Sequence, residues 1–458
     1  MDSLTYKRTN VYETADETLM TEIFDFAEGY KHFLDEGKTE RECCAYVEAA
    51  AKAAGYEAFD FGRKLKAGDK IYYNNRGKNM YLIKVGTENI AKDGIRIIAS
   101  HIDSPRLDLK QLPLYESEGV ALGKTHYYGG LRKYQWAAMP LALHGVVALK
   151  DGATVQVKAG ESEGDPVFYI SDLLPHLAAK QNQKPLGNAI EGEQLNIWFG
   201  NIPYTAATED DEKTVKNNVL HLLNDKYGIT EADFMSAELS MVPAFKAQDV
   251  GFDRALLGSY GHDDRVCAYP AWKACLDETS DRHTVMIVLA DKEEIGSEGT
   301  TGMQSAIFTD LIDELAASFG VSSAAIRAHS KCLSADVTAA YDPNYPEVCE
   351  KNNSVFLSCG AGIMKFTGAR GKSGSNDANA EFLAYLRNLF DENGVLWQTG
   401  ELGKVDEGGG GTVAKFIAKF NIDTVDIGVP VISMHSPWEV VSKADLYENY
   451  LAFKAFIK

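Results

Sequence analysis

No apolar run in this 458-residue chain approaches the ~18–20 residues that would cross a bilayer. No membrane-spanning helix is therefore expected. The first residues, MDSLTYKRTN, hold no apolar stretch of the secretory kind. Cysteine is scarce and odd in number: Cys43, Cys44, Cys267, Cys275, Cys332, Cys349 and Cys359, with no C-x-x-C pair. That argues against a disulfide framework and a thiolate metal site, and predicts buried free thiols in a reducing cytoplasm. Positive charge is short, with 46 Lys and Arg against 66 Asp and Glu and a net charge of −20. Nucleic acid and anionic membranes both require a basic footprint, so neither is an expected partner. There is no Gly-Lys-Ser/Thr of a phosphate-binding loop, no G-x-S-x-G elbow and no fixed-period repeat.

What remains is ordinary globular composition, 45% hydrophobic and 24% charged, in a chain long enough for two domains. Residues 14–56 carry apolar side chains at helical spacing in two stretches. The first is stopped by Gly37, and the second opens on a Thr39–Glu42 capping box and ends at Gly55. KIYYNNRGKNMYLIKVG reads as a hairpin, followed by the strand IRIIAS. From about 106 to 243 the texture turns to Gly, Pro and β-branched residues, which predicts a β-meander or barrel-like insertion with some helix, such as SDLLPHLAAKQ. The acidic run Glu209–Glu212 is expected at a solvated helix start. After 244 the apolar runs TVMIVLA, CLSADV, SVFLSCG and VPVISM alternate with helical stretches, as buried strands of a mainly parallel sheet do. The expected fold is α/β: a mainly parallel sheet catalytic domain flanked by helices (1–105 and 244–458), interrupted by a β-rich domain (106–243).

Four of these runs end on metal-ligand side chains: IRIIAS on His101, TVMIVLA on Glu293 and Glu294, CLS on Asp336, and VPVISM on His435. Open α/β sheets bind ligands beyond the carboxyl ends of their strands, so the rule gathers all four at one edge. Asp103 lies two residues after His101, on the same face of an extended segment, where it can orient the imidazole or its metal. Of two adjacent acids after a buried strand, one can hold a metal while the other acts as general base. Asp263, in GHDDR before a helical run, is either an N-cap or a carboxylate shared by two metals, supported by Asp264 and Arg265. Taken singly, each residue has a plain reading as a polar strand end, a solvent-facing pair or a helix cap. Together Asp263, Glu294, Asp336 and one hydroxide balance two divalent cations. Mixed imidazole and carboxylate donors suit zinc, with cobalt or manganese as alternatives. Gly408–Gly411 predicts a tight turn beside a substrate pocket.

The segments SHIDSPRLDLK, YYGG, GHDDRVCA, DKEEIGSEG, LSADVTAAYDPNYPE and ISMHSPWE, in this order, resemble the M18 family of metalloaminopeptidases. The resemblance implies two Zn2+ per subunit, peptide substrates, an inserted dimerisation domain and a tetrahedral homododecamer. It implies that His101 and Asp336 hold one metal, Glu294 and His435 the other, and that Asp263 bridges. Glu293 would be the general base, and Asp103 would orient His101. Eukaryotic members read leucine-aspartate-asparagine where this chain has His262-Asp263-Asp264. The position of a histidine donated to a neighbouring subunit's site falls at or near Asp172, close to His176. A preference for N-terminal Asp or Glu would require a cationic pocket, for which Arg370 and Lys372 are the candidates. The competing functions are deacylation of N-acyl amino acids and a catalytically silent scaffold of the same fold.

Overall fold

The computed structural model describes residues 4–205 and 212–458. The chain divides into two compact units. The larger comprises Met1–Asp103, Ala247–Met434 and Trp438–Lys458; the smaller comprises Ser104–Lys246 and His435–Pro437.

In the larger unit, Ile95–His101 and Thr284–Ala290 are aliphatic runs buried along almost their whole length. Their side chains alternate between two cores, as the period of a strand requires. Val285, Ile287 and Leu289 face one core, and Met286, Val288 and Ala290 face the other. Each such side chain contributes roughly 1.5–3 kcal/mol by leaving water, which is why the run lies inside the sheet rather than at its edge. The nine-stranded sheet runs Glu57–Ala58, Lys70–Asn75, Asn79–Lys84, Thr284–Ala290, Ile95–His101, Lys331–Ala335, Asp423–Gly428, Ala361–Met364, Trp397–Thr399. The four strands from Thr284–Ala290 to Asp423–Gly428 are mutually parallel. Helices Glu17–Glu36, Glu40–Ala53, His262–Asp277, Ala380–Glu392 and Lys443–Ile457 share the first core, and Ile307–Phe319 belongs to the second. The Thr39–Glu42 capping box is formed. The fold is the expected mixed α/β one with a large, mostly parallel sheet.

Three expectations change. SVFLSCG is not a strand: only Val355 makes an isolated bridge, to Ala340, and the paired segment is the following Ala361–Met364. VPVISM is not a central strand either. Pro430–Ile432 lies in a separate five-stranded sheet, parallel to Thr338–Ala339 and antiparallel to Glu439–Ser442. The apolar run is continuous, but its sheet changes at Gly428, where a Cβ would lie 1.7 Å from the Asp336 carbonyl oxygen. SDLLPHLAAKQ forms two short 3-10 turns, Pro175–Leu177 and Gln181–Gln183, because Pro175 restricts the residue before it and few apolar contacts hold the segment.

The smaller unit is a six-stranded antiparallel sheet in the order Thr154–Ala159, Leu141–Ala148, Ala237–Pro243, Arg106–Ser117, Val120–Tyr128, Ile197–Gly200, with helix Val215–Tyr227. Of the acidic run Glu209–Glu212, the first three residues lie outside the described residues. Among the described residues no helix is long and apolar enough to cross a membrane. All seven cysteines are free, and five of them are buried.

Candidate metal centre

His101 is the last residue of its strand, and Asp336 is the first after Lys331–Ala335. Glu293 and Glu294 open a 3-10 turn, Glu293–Ile295, three residues after Ala290. Three parallel strand ends therefore deliver their acids and imidazole to one edge of the larger unit. Asp263 arrives from the start of helix His262–Asp277, where Asp263 and Asp264 keep non-helical angles and are joined by a cis peptide. Pro270 is accommodated inside that helix.

His101 Nε2 lies 3.1 Å from Asp263 Oδ1, 3.8 Å from Asp336 Oδ1 and 4.0 Å from Glu293 Oε2. Its Nδ1 faces Asp103, 3.0 Å from the backbone oxygen and 3.3 Å from Oδ1. The Asp103 carboxylate also accepts both backbone N–H groups of the acidic turn, from Glu293 at 3.1 Å and from Glu294 at 3.2 Å. One buried carboxylate thus fixes the imidazole and the turn that carries both glutamates. His101, Asp263 and Glu294 each offer a ligand atom within 4.8 Å of the others, and so do His101, Asp264 and Asp336.

Burial alone would lower the His101 pKa; hydrogen bonds to Asp103 and Asp263, with the charges of Asp103 and Asp336, hold it well above the usual imidazole range. Burial first, then neighbouring acids, pushes Asp336 well above the carboxylate range; burial does the same to Asp264. Carboxylates crowded around one imidazole in a dry setting are costly unless a cation compensates them. The donor set of imidazole and carboxylates at this spacing therefore fits a divalent metal.

His435 is not delivered by a central strand. It follows Pro430–Ile432 in the left-handed region, with φ 65°, in the short segment that groups with the smaller unit; there its Nδ1 lies 3.1 Å from the Gly130 carbonyl oxygen. Arg265 does not support Asp263: it donates to the Lys38 carbonyl at 3.1 Å and stacks over Tyr260. Arg370 and Lys372 line a cavity of about 280 Å³ with Lys404, Glu401 and Gly408, and Lys372 pairs with Asp377 at 3.2 Å. Gly409–Gly410 forms a short ribbon with Gly368–Ala369 in the same region, so the chain crosses tightly at Gly408–Gly411. Asp172 accepts its neighbour's N–H, from Leu173, and His176 lies in an exposed 3-10 turn.

The residues that hold the Asp263 turn carry no local mark in the sequence. Glu439 Oε2 accepts the Asp263 N–H at 3.1 Å. His262 is fully buried between the Tyr30 hydroxyl at 2.9 Å and the Leu257 carbonyl at 3.2 Å, and burial lowers its pKa to about 3. Glu439 lies in ISMHSPWE, but nothing local marks a glutamate whose partner is 176 residues away.

A family model described as aminopeptidase I zinc metalloprotease (M18) matches residues 33–457. A probable M18 family aminopeptidase 1 of Clostridium acetobutylicum is 47% identical over 456 residues, covering 98% of this chain and 97% of that protein. Its namesake from Thermotoga maritima is 41% identical over 447 residues, covering 95% and 96%. The crystal structure of an M18 aminopeptidase from Thermotoga maritima matches with a TM-score of 0.93 at 40% identity, covering 99% of this chain and 100% of that one. That of aminopeptidase I from Clostridium acetobutylicum matches with a TM-score of 0.92 at 43% identity and the same coverage. Whole-length likeness at this identity, on a fold that gathers these donors at its sheet edge, makes the chain a member of the M18 family of metallo-aminopeptidases, hydrolases of the exopeptidase type.

Proposed function

We propose that the enzyme removes N-terminal residues from peptides with two zinc ions per subunit, cobalt or manganese being substitutes, and prefers Asp or Glu at the N-terminus. The observation that carries the metal reading is the gathering of Asp263, Glu294, Asp264 and Asp336 within ligand distance of the one His101; the second ion is taken from the family motif. On the family motif, His101 and Asp336 hold one ion, Glu294 and His435 the other, and Asp263 serves both. Divalent ions held by these residues would supply Lewis acidity to the scissile carbonyl and would lower the pKa of water. Glu293 takes the proton from the attacking water and passes it to the leaving amine. Its reach is set by Asp103, which holds the backbone of both glutamates and the imidazole at once. Arg370 and Lys372, on their cavity, are the proposed receivers of an acidic side chain.

We also propose a homo-oligomer, a tetrahedral dodecamer paired through the smaller unit, in the cytoplasm. A yeast relative of this fold, 21% identical, is described as a dodecamer. The 3-10 segment of the smaller unit exposes Leu173, Leu174, Leu177 and Leu186, which suits a covered surface. The free thiols suit a reducing compartment. A native mass below twelve times the 50.2 kDa chain would dismiss the dodecamer.

The activity is tested by a kinetic screen of fluorogenic amides that vary the N-terminal residue, run with zinc, cobalt and manganese beside N-acylated substrates. Release from free-amine substrates, highest for Asp and Glu, is expected. Turnover of N-acyl substrates alone would replace the reading with deacylation, and less than one divalent ion per purified chain would point to a silent scaffold.

A further inference from the structure

Three successive residues at the start of helix His262–Asp277 are each tied to a different element of the larger unit. His262 is held by Tyr30 of helix Glu17–Glu36 and by the Leu257 carbonyl. Asp264 Oδ2 accepts the backbone N–H of His101, at the end of its central strand, at 3.2 Å. Between them, the N–H of Asp263 is donated to Glu439 Oε2 at 3.1 Å. Glu439 is 1% exposed and opens strand Glu439–Ser442, which is paired in antiparallel register with Leu256–Ser259, Glu439 opposite Ser259. That pairing sets Glu439 beside the turn, and Gly261, at φ 78°, lets the chain leave the strand toward it.

The Asp263 segment needs such a hold. Asp263 and Asp264 lie outside helical angles, so helix hydrogen bonding does not fix the direction of the Asp263 carboxylate. Its backbone N–H is buried and requires an acceptor. A buried glutamate is an expensive acceptor where a backbone carbonyl would serve. We propose that Glu439 is a positioning residue that aims the Asp263 carboxylate at the metal centre and thereby sets the affinity of that centre for divalent ions. The inference rests on the metal-centre reading above. Glu439 acts through its acceptor oxygen, so glutamine should replace it and alanine should not.

The test uses the full-length enzyme, stripped of metal and titrated with Co2+ while the visible d–d absorption is followed. Glu439→Ala is expected to weaken Co2+ binding by about 10- to 100-fold, the usual cost of losing a partner behind the ligands, and to alter the band shape. Glu439→Gln is expected to stay within about threefold of the parent protein, with far-ultraviolet circular dichroism unchanged in both. Parent-like affinity and spectrum in Glu439→Ala would overturn the inference and leave the metal centre standing. Equal loss in both variants would also overturn it, since the charge rather than the acceptor would then be at work. A parent protein that binds no Co2+ would instead sink the metal-centre reading. If Glu439→Ala does not fold, Glu439→Gln together with Glu439→Ser decides: serine, too short to reach, is expected to lose affinity where glutamine keeps it.

Discussion

Glu293 lies 4.0 Å from His101 Nε2, and its own backbone N–H is held by Asp103. A glutamine there keeps the turn and its hydrogen bond but cannot take a proton. Glu293→Gln is therefore expected to retain bound metal and to lose about 10²- to 10⁴-fold in kcat. Near-parent turnover with full metal content would remove Glu293 from the base role. The same scale explains what the residues could announce about themselves. His101, Asp103 and the Glu293–Glu294 pair were legible because each stands at or just beyond the end of a buried run. Glu439 and Tyr30 were not, because a carboxylate on a short strand and a tyrosine on a helix look the same whether or not they hold a distant turn.

At the scale of elements, the strands that carry ligands are defined by burial on both faces, and their alternation of cores follows from the pleat. The run Val429 to Met434 lies outside the central sheet, because apolar continuity fixes that a segment is buried and not which sheet it joins. Helix Lys443–Ile457 offers a quantitative check. Burial pushes the Glu448 carboxyl up to about 7, against the hydrogen bond it accepts from the Leu396 N–H at 2.8 Å. A raised carboxyl pKa favours the protonated fold. Glu448 therefore carries no penalty below its ordinary value near 4.5, and the penalty grows as pH rises through about 7. Glu448→Gln keeps an acceptor without the charge. It is expected to be more stable than the parent at pH 8, by at most about 3 kcal/mol, with the difference vanishing near pH 4.5. Urea melts at the two pH values measure this, and an equal or larger gain at the acid end would reject the burial argument.

For the molecule as a whole, the crowded carboxylates link folding to metal. An ion that binds only the folded chain stabilises it by about 2.7 kcal/mol when its free concentration is a hundred times Kd. Chelation is expected to lower Tm, and added zinc to restore it. An unchanged Tm after complete removal would mean that the acids of the cluster do not meet a cation in the folded protein. The net charge of −20 works in the same direction, since a cation relieves local repulsion in a chain that is already strongly acidic.

Composition, buried-run periodicity and turn chemistry by themselves determined the α/β class, the change of texture between about 106 and 243, the capping box at Thr39, and three of the strand ends that carry ligand-type residues. These are local properties: a charge-bounded run rich in β-branched and aliphatic residues, such as TVMIVLA, favours a buried strand, and a capping box closes within four residues. Only the tertiary structure decided that Pro430–Ile432 lies in a second sheet, that Arg370 and Lys372 share the lining of one cavity, that His262 is a buried clamp, and that Glu439 holds Asp263. Those contacts join positions up to 232 residues apart. Their partners are selected by sheet order and packing rather than by spacing along the chain.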